Sequence, residues 1–244
     1  NMDSSTDIAA IMDEMLEEIK KSLIHYKFID VYNGYQVIAE IWKNALNHDA
    51  EIIANEGFYR AGRSREPHMV TKGSGSNKRE EMDGYVGCII PNDLIAEKLY
   101  SDEIKAIEDK RQAVQYVEGE LSDLIEAAKV EDSEENAALY NVLKKNENNE
   151  PQDSFDSKAL KNEIKKAAQY SEEYKLLKKV ESLLSKKSRL NKEIKKDETD
   201  LKNEVQERII RLTDDEIDIL VFKKWFGNTV CEMVNLINIP LKAE

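Results

Sequence analysis

The stretch LLKKVESLLSKKSRLNKEIKKDETDLKNEV, residues 176–205, decides the fold class. Leu176, Leu183 and Leu190 fall seven apart. Val180, Ile194 and Leu201 keep a second register in multiples of seven, and Val205 extends the seam. That is the spacing of a coiled-coil helix, and the helical pattern extends over 172–212. Lys187 and Asp197 fall on seam positions, so the coil is expected to be imperfect and locally polar.

A partner lies upstream. Over 93–129 the pattern is again helical, with a bend expected near Ser101-Asp102. Ile107, Val114, Leu121 and Ala128 are seven apart, and Ile104, Val117 and Leu124 fill neighbouring positions. Residues 118–156 carry twelve acidic side chains against Lys129, Lys144 and Lys145, whereas 175–196 carry nine basic ones against Glu181 and Glu193. Opposite charge on two heptad helices joined by a connector favours an antiparallel hairpin. Arms of ~30 residues would reach ~45 Å. The basic run could also bind nucleic acid, but pairing with the acidic arm is the simpler account. The connector, 130–170, is acidic and Asn-rich and reads as mobile, with short helices near 135–145 and 158–168.

The rest of the chain is read outward from this hairpin. Seven of the nine glycines lie between Gly34 and Gly87, marking a turn-rich region. Before it, 7–28 forms an amphipathic helix through Ile8, Ile11, Met12, Met15, Ile19, Leu23 and Tyr26, with Thr6 as N-cap. A second helix covers 35–54, with Gly57 as its stop. Two strands, 68–72 and 85–90, form a hairpin with a long Gly-Ser and charged loop between them, and Asn92 caps the next helix. Thr213-Asp214-Asp215-Glu216 has the pattern of a capping box. The helix it opens contains Trp225 and stops at Gly227, and a last helix runs through Ile237. The expected fold is mainly α: a helical module with a small β-hairpin (1–91), a long antiparallel coiled-coil-like hairpin (92–212) and C-terminal helices (213–244). Its seam is Ile107, Val114, Leu121, Leu176, Val180, Leu183, Leu190, Ile194 and Leu201.

Composition limits function. A net charge of −13 argues against nucleic acid binding over the whole surface but leaves room for a local basic patch. No apolar run approaches membrane-spanning length. Cys88 and Cys231 read as buried reduced thiols of a cytoplasmic protein. Gly73-Ser74-Gly75 is followed by a charged run and a strand, so it lacks the helix N-terminus that a nucleotide or methyl-donor loop needs. His25, His48 and His68 are scattered, and no Gly-x-Ser-x-Gly turn occurs. His48-Asp49 reads as a helix end and not as a metal site. One local signal remains. Arg60, Arg63, Arg65, Lys72, Lys78 and Arg79 stand against Glu66 alone over twenty residues. Such a segment can neutralise phosphates without reading bases, or it is a solvated loop or a contact to an acidic subunit.

Several ordered stretches point to a family. They are Tyr26-Lys27-Phe28-Ile29-Asp30-Val31-Tyr32, Tyr35-Gln36, Trp42, Pro67-His68-Met69-Val70, Asp83-Gly84-Tyr85-Val86-Gly87-Cys88-Ile89-Ile90-Pro91, Leu94-Ile95, Leu212-Thr213-Asp214-Asp215-Glu216-Ile217 and Lys224-Trp225. Together they resemble the C-terminal half of the modification subunit of type I restriction-modification systems. The resemblance implies a parent that methylates adenine N6 in DNA with S-adenosylmethionine. It also implies assembly of two such subunits with a specificity subunit, and a restriction subunit joining for cleavage. The family's catalytic core carries a glycine-rich cofactor loop and an Asn-Pro-Pro-aromatic motif. This chain has no Pro-Pro, so no catalytic, cofactor-binding or metal residue is carried over. The expectation is a non-catalytic piece of the subunit, cut at both ends, that serves assembly and contacts the DNA backbone. In isolation the Ile8/Met12/Met15 and Val230/Leu236 faces would be partly exposed. The other readings are a stand-alone coiled-coil adaptor and, third, an enzyme in its own right that would bind S-adenosylmethionine.

Overall fold

The heptad spacing and the capping box both appear as helices in the computed structural model, which describes residues 7–25, 31–130, 134–169, 171–228 and 231. The protein is mainly α, with ten α-helices and two small antiparallel hairpins among the described residues. Two compact units divide it. Unit 1 is Asn1–Ser101 with Leu201–Glu244, and unit 2 is Asp102–Asp200.

In unit 1, helix α1 (Ile8–Leu23) is capped by Asp7, whose carboxylate accepts from the N–H groups of Ala9 and Ala10. The expected cap, Thr6, lies outside the described residues. Ile8, Met12 and Met15 lie on a half-buried stripe of this helix, and Leu16 beside them is buried. The single helix read over 35–54 is three pieces: α2 (Val31–Ile41), a π-helical turn (Trp42–Leu46) and α3 (Asn47–Glu56). Within the π turn the Asn47 N–H reaches back five residues to the Trp42 carbonyl. This widened turn takes up one extra residue and lets Trp42, Leu46, Ala50 and Ile53 all point inward. Gly57, at φ 85°, ends α3 as expected and leads into α4 (Phe58–Gly62).

The hairpin is larger than the sequence suggested. Strand β1 is Arg65–Lys72 and β2 is Arg79–Gly87, so the charged run 79–83 read as loop is strand. Only 73–78 form the tip, and a short 3-10 turn (Gly75–Asn77) lies within it. Ladder hydrogen bonding, which does not depend on side-chain polarity, carries this polar ribbon, and its outer face is solvated. Ile89 and Ile90, assigned to the second strand, follow it and are core residues. Asn92 opens α5 (Asn92–Leu99) but does not cap it, because Pro91 holds the cap position. The Asn92 side chain turns back instead, accepting from the Gly87 N–H at 3.2 Å and donating to the Tyr85 carbonyl at 2.8 Å.

Helix α6 (Ser101–Lys129) starts after a break at Tyr100, where the bend was expected. Helix α9 runs from Glu172 to Ile209. Its last two turns, from Leu201, belong to unit 1. There Val205 and Ile209 join Ile53, Ala61, Ile89, Ile90, Ile95, Leu212, Ile217, Leu220 and Val221 in one core. Helix α10 (Asp214–Phe226) has the expected capping box: Thr213 Oγ1 accepts from the Glu216 N–H, and Glu216 accepts from the Thr213 N–H. The expected last helix through Ile237 lies outside the described residues, Cys231 apart.

In unit 2 the arms run antiparallel. Lys110 meets Asp197 (2.5 Å) and Arg111 meets Glu198 (2.6 Å) at one end; from there to Glu118 with Lys187 (2.8 Å) and Glu120 near Lys179 (3.8 Å), one number rises as the other falls. Lys187 and Asp197 thus sit at seam positions, but each reaches across to a charge on the other arm. The buried seam is Ile107, Val114, Val117, Leu121, Ile125 and Ala128 against Leu177, Val180, Leu183, Leu190 and Ile194. This corrects three assignments. Leu177 is fully buried, and Leu176, read as a seam residue, only packs on its flank. Ile104 is largely exposed, and Ile125 enters the core. Leu201, read as seam, is half-buried against the unit 1 core.

The segment read as a mobile acidic connector carries regular structure: α7 (Glu134–Asn141), β3 (Leu143–Lys145), β4 (Pro151–Phe155) and α8 (Ser157–Lys166). The expected helix over 135–145 therefore ends early, and its tail is a strand. Asn146 and Asn149 build the turn between the strands. Asn146 Oδ1 accepts from the N–H groups of Asn148 and Glu150, and Asn149 takes the left-handed conformation open to asparagine. Leu139, Val142, Leu143, Phe155 and Leu160 from this segment pack on the tips of both arms.

Candidate nucleic-acid and assembly interface

The six basic residues of 60–79 fall into two groups. Arg63 and Arg65 face inward. Arg63 donates to the Leu212 carbonyl at 2.6 Å and the Tyr59 carbonyl at 3.2 Å, and forms an ion pair with Asp214. Arg65 donates to the Gln206 carbonyl at 2.9 Å, and its guanidinium lies 4.1 Å from the centre of the Tyr85 ring. Both act as struts between the hairpin region and the ends of α9 and α10. Their planar, multi-donor guanidinium groups suit that task better than an ammonium would.

Lys72, Lys78 and Arg79 lie at the hairpin tip, and Arg60 is exposed on α4. Lys72 and Arg79 are ladder partners. Glu81, two residues along the strand on the same face, takes both: 3.2 Å to Lys72 and 2.6 Å to Arg79. Lys78 and Arg60 form no ion pair among the described residues. The patch able to meet a phosphate is therefore the tip, smaller than the sequence indicated and partly neutralised by Glu81.

The base of the hairpin is fixed where β2 gains a residue on β1. His68 alone, between Pro67 and Met69, faces Asp83 and Gly84. Gly84 has φ 88°, and a Cβ there would meet the Gln206 side-chain amide at 2.4 Å. Gln206 is one of two buried polar residues among the described residues. Beside it Asp83 bonds Lys202 at 2.6 Å, and that hydrogen bond holds the Asp83 carboxyl below the usual carboxylate range.

A second cluster locks α10 in place. Asp49, 2% exposed, accepts from Lys224 Nζ at 2.6 Å and from Trp225 Nε1 at 2.7 Å. Lys224 also donates to the Ile89 carbonyl at 2.7 Å. One buried carboxylate thus ties α3, α10 and the turn after β2 together. Both donors reach the same carboxylate oxygen, Oδ2. Among the described residues no group of three or more His, Cys, Asp or Glu could hold a metal ion. Next to the capping box, burial pushes the Glu216 carboxyl up. The Thr213 N–H and Arg208 outweigh that and hold it below the usual range.

The sequence reading did not anticipate Asp49, Gln206 or Glu81 as partners. Lys224-Trp225 and Asp83-Gly84 stood in the quoted stretches, but their partners are 119 to 176 residues away in the chain. Periodicity carries no signal for such pairs. Among the described residues no helix is long and apolar enough to cross a membrane. No protein-family model, curated protein or solved structure matches the chain.

Proposed function

We propose that this chain is a non-catalytic assembly region of a type I restriction-modification modification subunit, lying after the methyltransferase core of its parent. On this reading the parent transfers a methyl group from S-adenosylmethionine to adenine N6 in DNA. It works with a specificity subunit, a second modification subunit and a restriction subunit. The chain itself holds surfaces for those contacts, and the hairpin tip meets the DNA backbone.

One observation carries the reading. Several of the stretches behind the resemblance, far apart in sequence, converge on a single core, while residues 26–30 of the first stretch lie outside the described residues. Pro67–Val70 and Asp83–Pro91 form the hairpin and the turn after it. Ile89, Ile90, Ile95, Leu212 and Ile217 are buried together. Lys224 and Trp225 tie to Asp49 and the Ile89 carbonyl. A set of motif residues engaged with one another and with backbone groups fits a scaffold. Catalytic groups would instead face an open cleft.

The test is light scattering coupled to size exclusion, on this chain alone and mixed with its cognate specificity subunit. The reading expects a complex of defined stoichiometry that Asp49→Ala weakens. Failure to form any complex would remove the assembly role. A stand-alone adaptor would show no preference for that subunit. Binding of S-adenosylmethionine by the isolated chain, read by calorimetry, would overturn the non-catalytic assignment.

A further inference from the structure

The basic run on α9 is largely unused by the opposite arm. Of its nine cations, only Lys179 and Lys187 reach α6, through Glu120 and Glu118. Lys175, Lys178 and Arg189 pair with glutamates on their own helix. Lys186, Lys192, Lys195 and Lys196 form no ion pair among the described residues. Charge pairing between the arms therefore does not account for the run.

Its outward face adjoins an open groove of about 740 Å³ between α8 and α9. Lys161 of α8 lines one side, and Lys178, Lys186 and Arg189 of α9 line the other, with hydroxyls from Ser182 and Ser185 between them. Among the described residues Glu181 is the one carboxylate in the lining, and Lys178 holds it at 2.7 Å. Two further acids lie near. Glu163 is paired with Lys166, and Glu193 sits between Arg189 at 3.7 Å and Lys110 at 3.9 Å. Lys178, Ser182, Ser185, Arg189, Lys192 and Lys196 follow steps of three and four residues, so they share one helix face. That face is about 27 Å long, and its last part, from Arg189 to Lys196, continues about 10 Å beyond the groove.

We infer that the α8–α9 groove and the basic face continuing from it bind the phosphate backbone of a nucleic acid. A cation or a hydroxyl donor at every turn, Lys178, Ser182, Ser185, Arg189, Lys192 and Lys196, matches a row of phosphates. A protein partner would need buried anchors, and interfaces are enriched in aromatic and large apolar residues. Among the described residues the large exposed hydrophobics of unit 2 are Ile104, Val130, Tyr116 and Tyr140, and none of these lines the groove. The surrounding unit is acidic, but at physiological salt its field is screened within about 8 Å, so the local cations dominate at the groove. The inference does not rest on the assembly reading, and the hairpin tip is a separate patch.

The experiment is fluorescence anisotropy of a labelled duplex of about 20 bp with the full chain, between about 50 and 200 mM salt. Three proteins are compared: the parent chain, Lys161→Gln/Lys186→Gln/Arg189→Gln and, at the tip, Lys72→Gln/Lys78→Gln/Arg79→Gln. Circular dichroism checks that each stays folded, and single-residue variants replace any triple that does not. The groove triple should lose about tenfold or more in affinity at low salt, and the slope of log K against log salt should shrink by about 2 to 3. No duplex binding at low salt, or equal binding by the groove triple and the parent, overturns the inference. So does displacement of the duplex by poly-glutamate as effective as by unlabelled DNA of equal charge, which would mark an acidic protein surface as the ligand. Complex formation with the specificity subunit is read separately by light scattering, so either proposal can fail alone.

Discussion

The two units use charged residues in opposite ways. In unit 1 a set of them is turned inward: Asp49, Lys224, Arg63 and Arg65 join elements through buried or half-buried hydrogen bonds. In unit 2 the interior is an apolar seam, and charges sit along its edges or stay unpaired on the surface. Polar contacts of the first kind fix which elements meet and in what orientation, because a misplaced partner leaves a buried group unsatisfied. An apolar seam is more tolerant, and its register relies on the spacing of knobs and on edge charges.

This difference can be probed by mutation, and the chain provides a reporter. Both tryptophans, Trp42 and Trp225, lie in unit 1, so their fluorescence follows that unit, while far-ultraviolet dichroism follows helices in both. The largest effect is expected at Asp49. Asp49→Ala leaves Lys224 without its carboxylate and Trp225 without its acceptor, and should cost about 3–5 kcal/mol in denaturant unfolding followed by fluorescence. A loss below about 1 kcal/mol would show that Lys224 reaches water and that the lock is dispensable. In unit 2, Leu177→Ala should cost about 2–5 kcal/mol, whereas Leu176→Ala, on the flank, should cost distinctly less. Equal losses would contradict the seam described above. Gly84→Ala combines a positive φ with a clash against Gln206, and should cost about 1–2 kcal/mol from the backbone alone. Lys187→Ala removes a surface pair between the arms. It should cost under about 1 kcal/mol, and the loss should shrink in high salt.

Acid sharpens the same contrast. Asp83 and Glu216 in unit 1 are held below the ordinary carboxylate range. A depressed folded-state pKa contributes stability that is present above the unfolded value of about 4 and lost as pH falls through the folded value. Fluorescence-detected stability should therefore fall as the solution is acidified below about pH 4. Asp83→Asn should flatten part of that fall. Asp156 adds a similar dependence to unit 2, because the N–H groups of Ala159 and Lys158 hold its carboxyl low at the start of α8.

What could be read from sequence follows from range. The seam, the capping box, the stop at Gly57 and the break before α6 depend on residues within a few turns of each other, and periodicity or cap chemistry reveals them. Leu176 and Leu177 were confused because adjacent leucines fit neighbouring registers equally well, and the packing of 134–166 on the arm tips selected one. The acidic segment hid a hairpin because its core residues, such as Leu143 and Phe155, are sparse among polar ones. At the candidate interface the charge count found the basic segment. It could not show that Arg63 and Arg65 bind backbone carbonyls, since a carbonyl leaves no mark in the sequence.

The arrangement at the hairpin tip has a kinetic and ionic consequence of its own. Lys72 and Arg79 share a counter-ion, Glu81, that is covalently tethered to them. A tethered carboxylate acts at a high effective concentration and does not dilute away. An incoming anion must exchange with it and does not simply release dissolved salt ions. Occupancy at the tip should thus depend weakly on ionic strength, and Glu81→Gln would turn it into a salt-sensitive site.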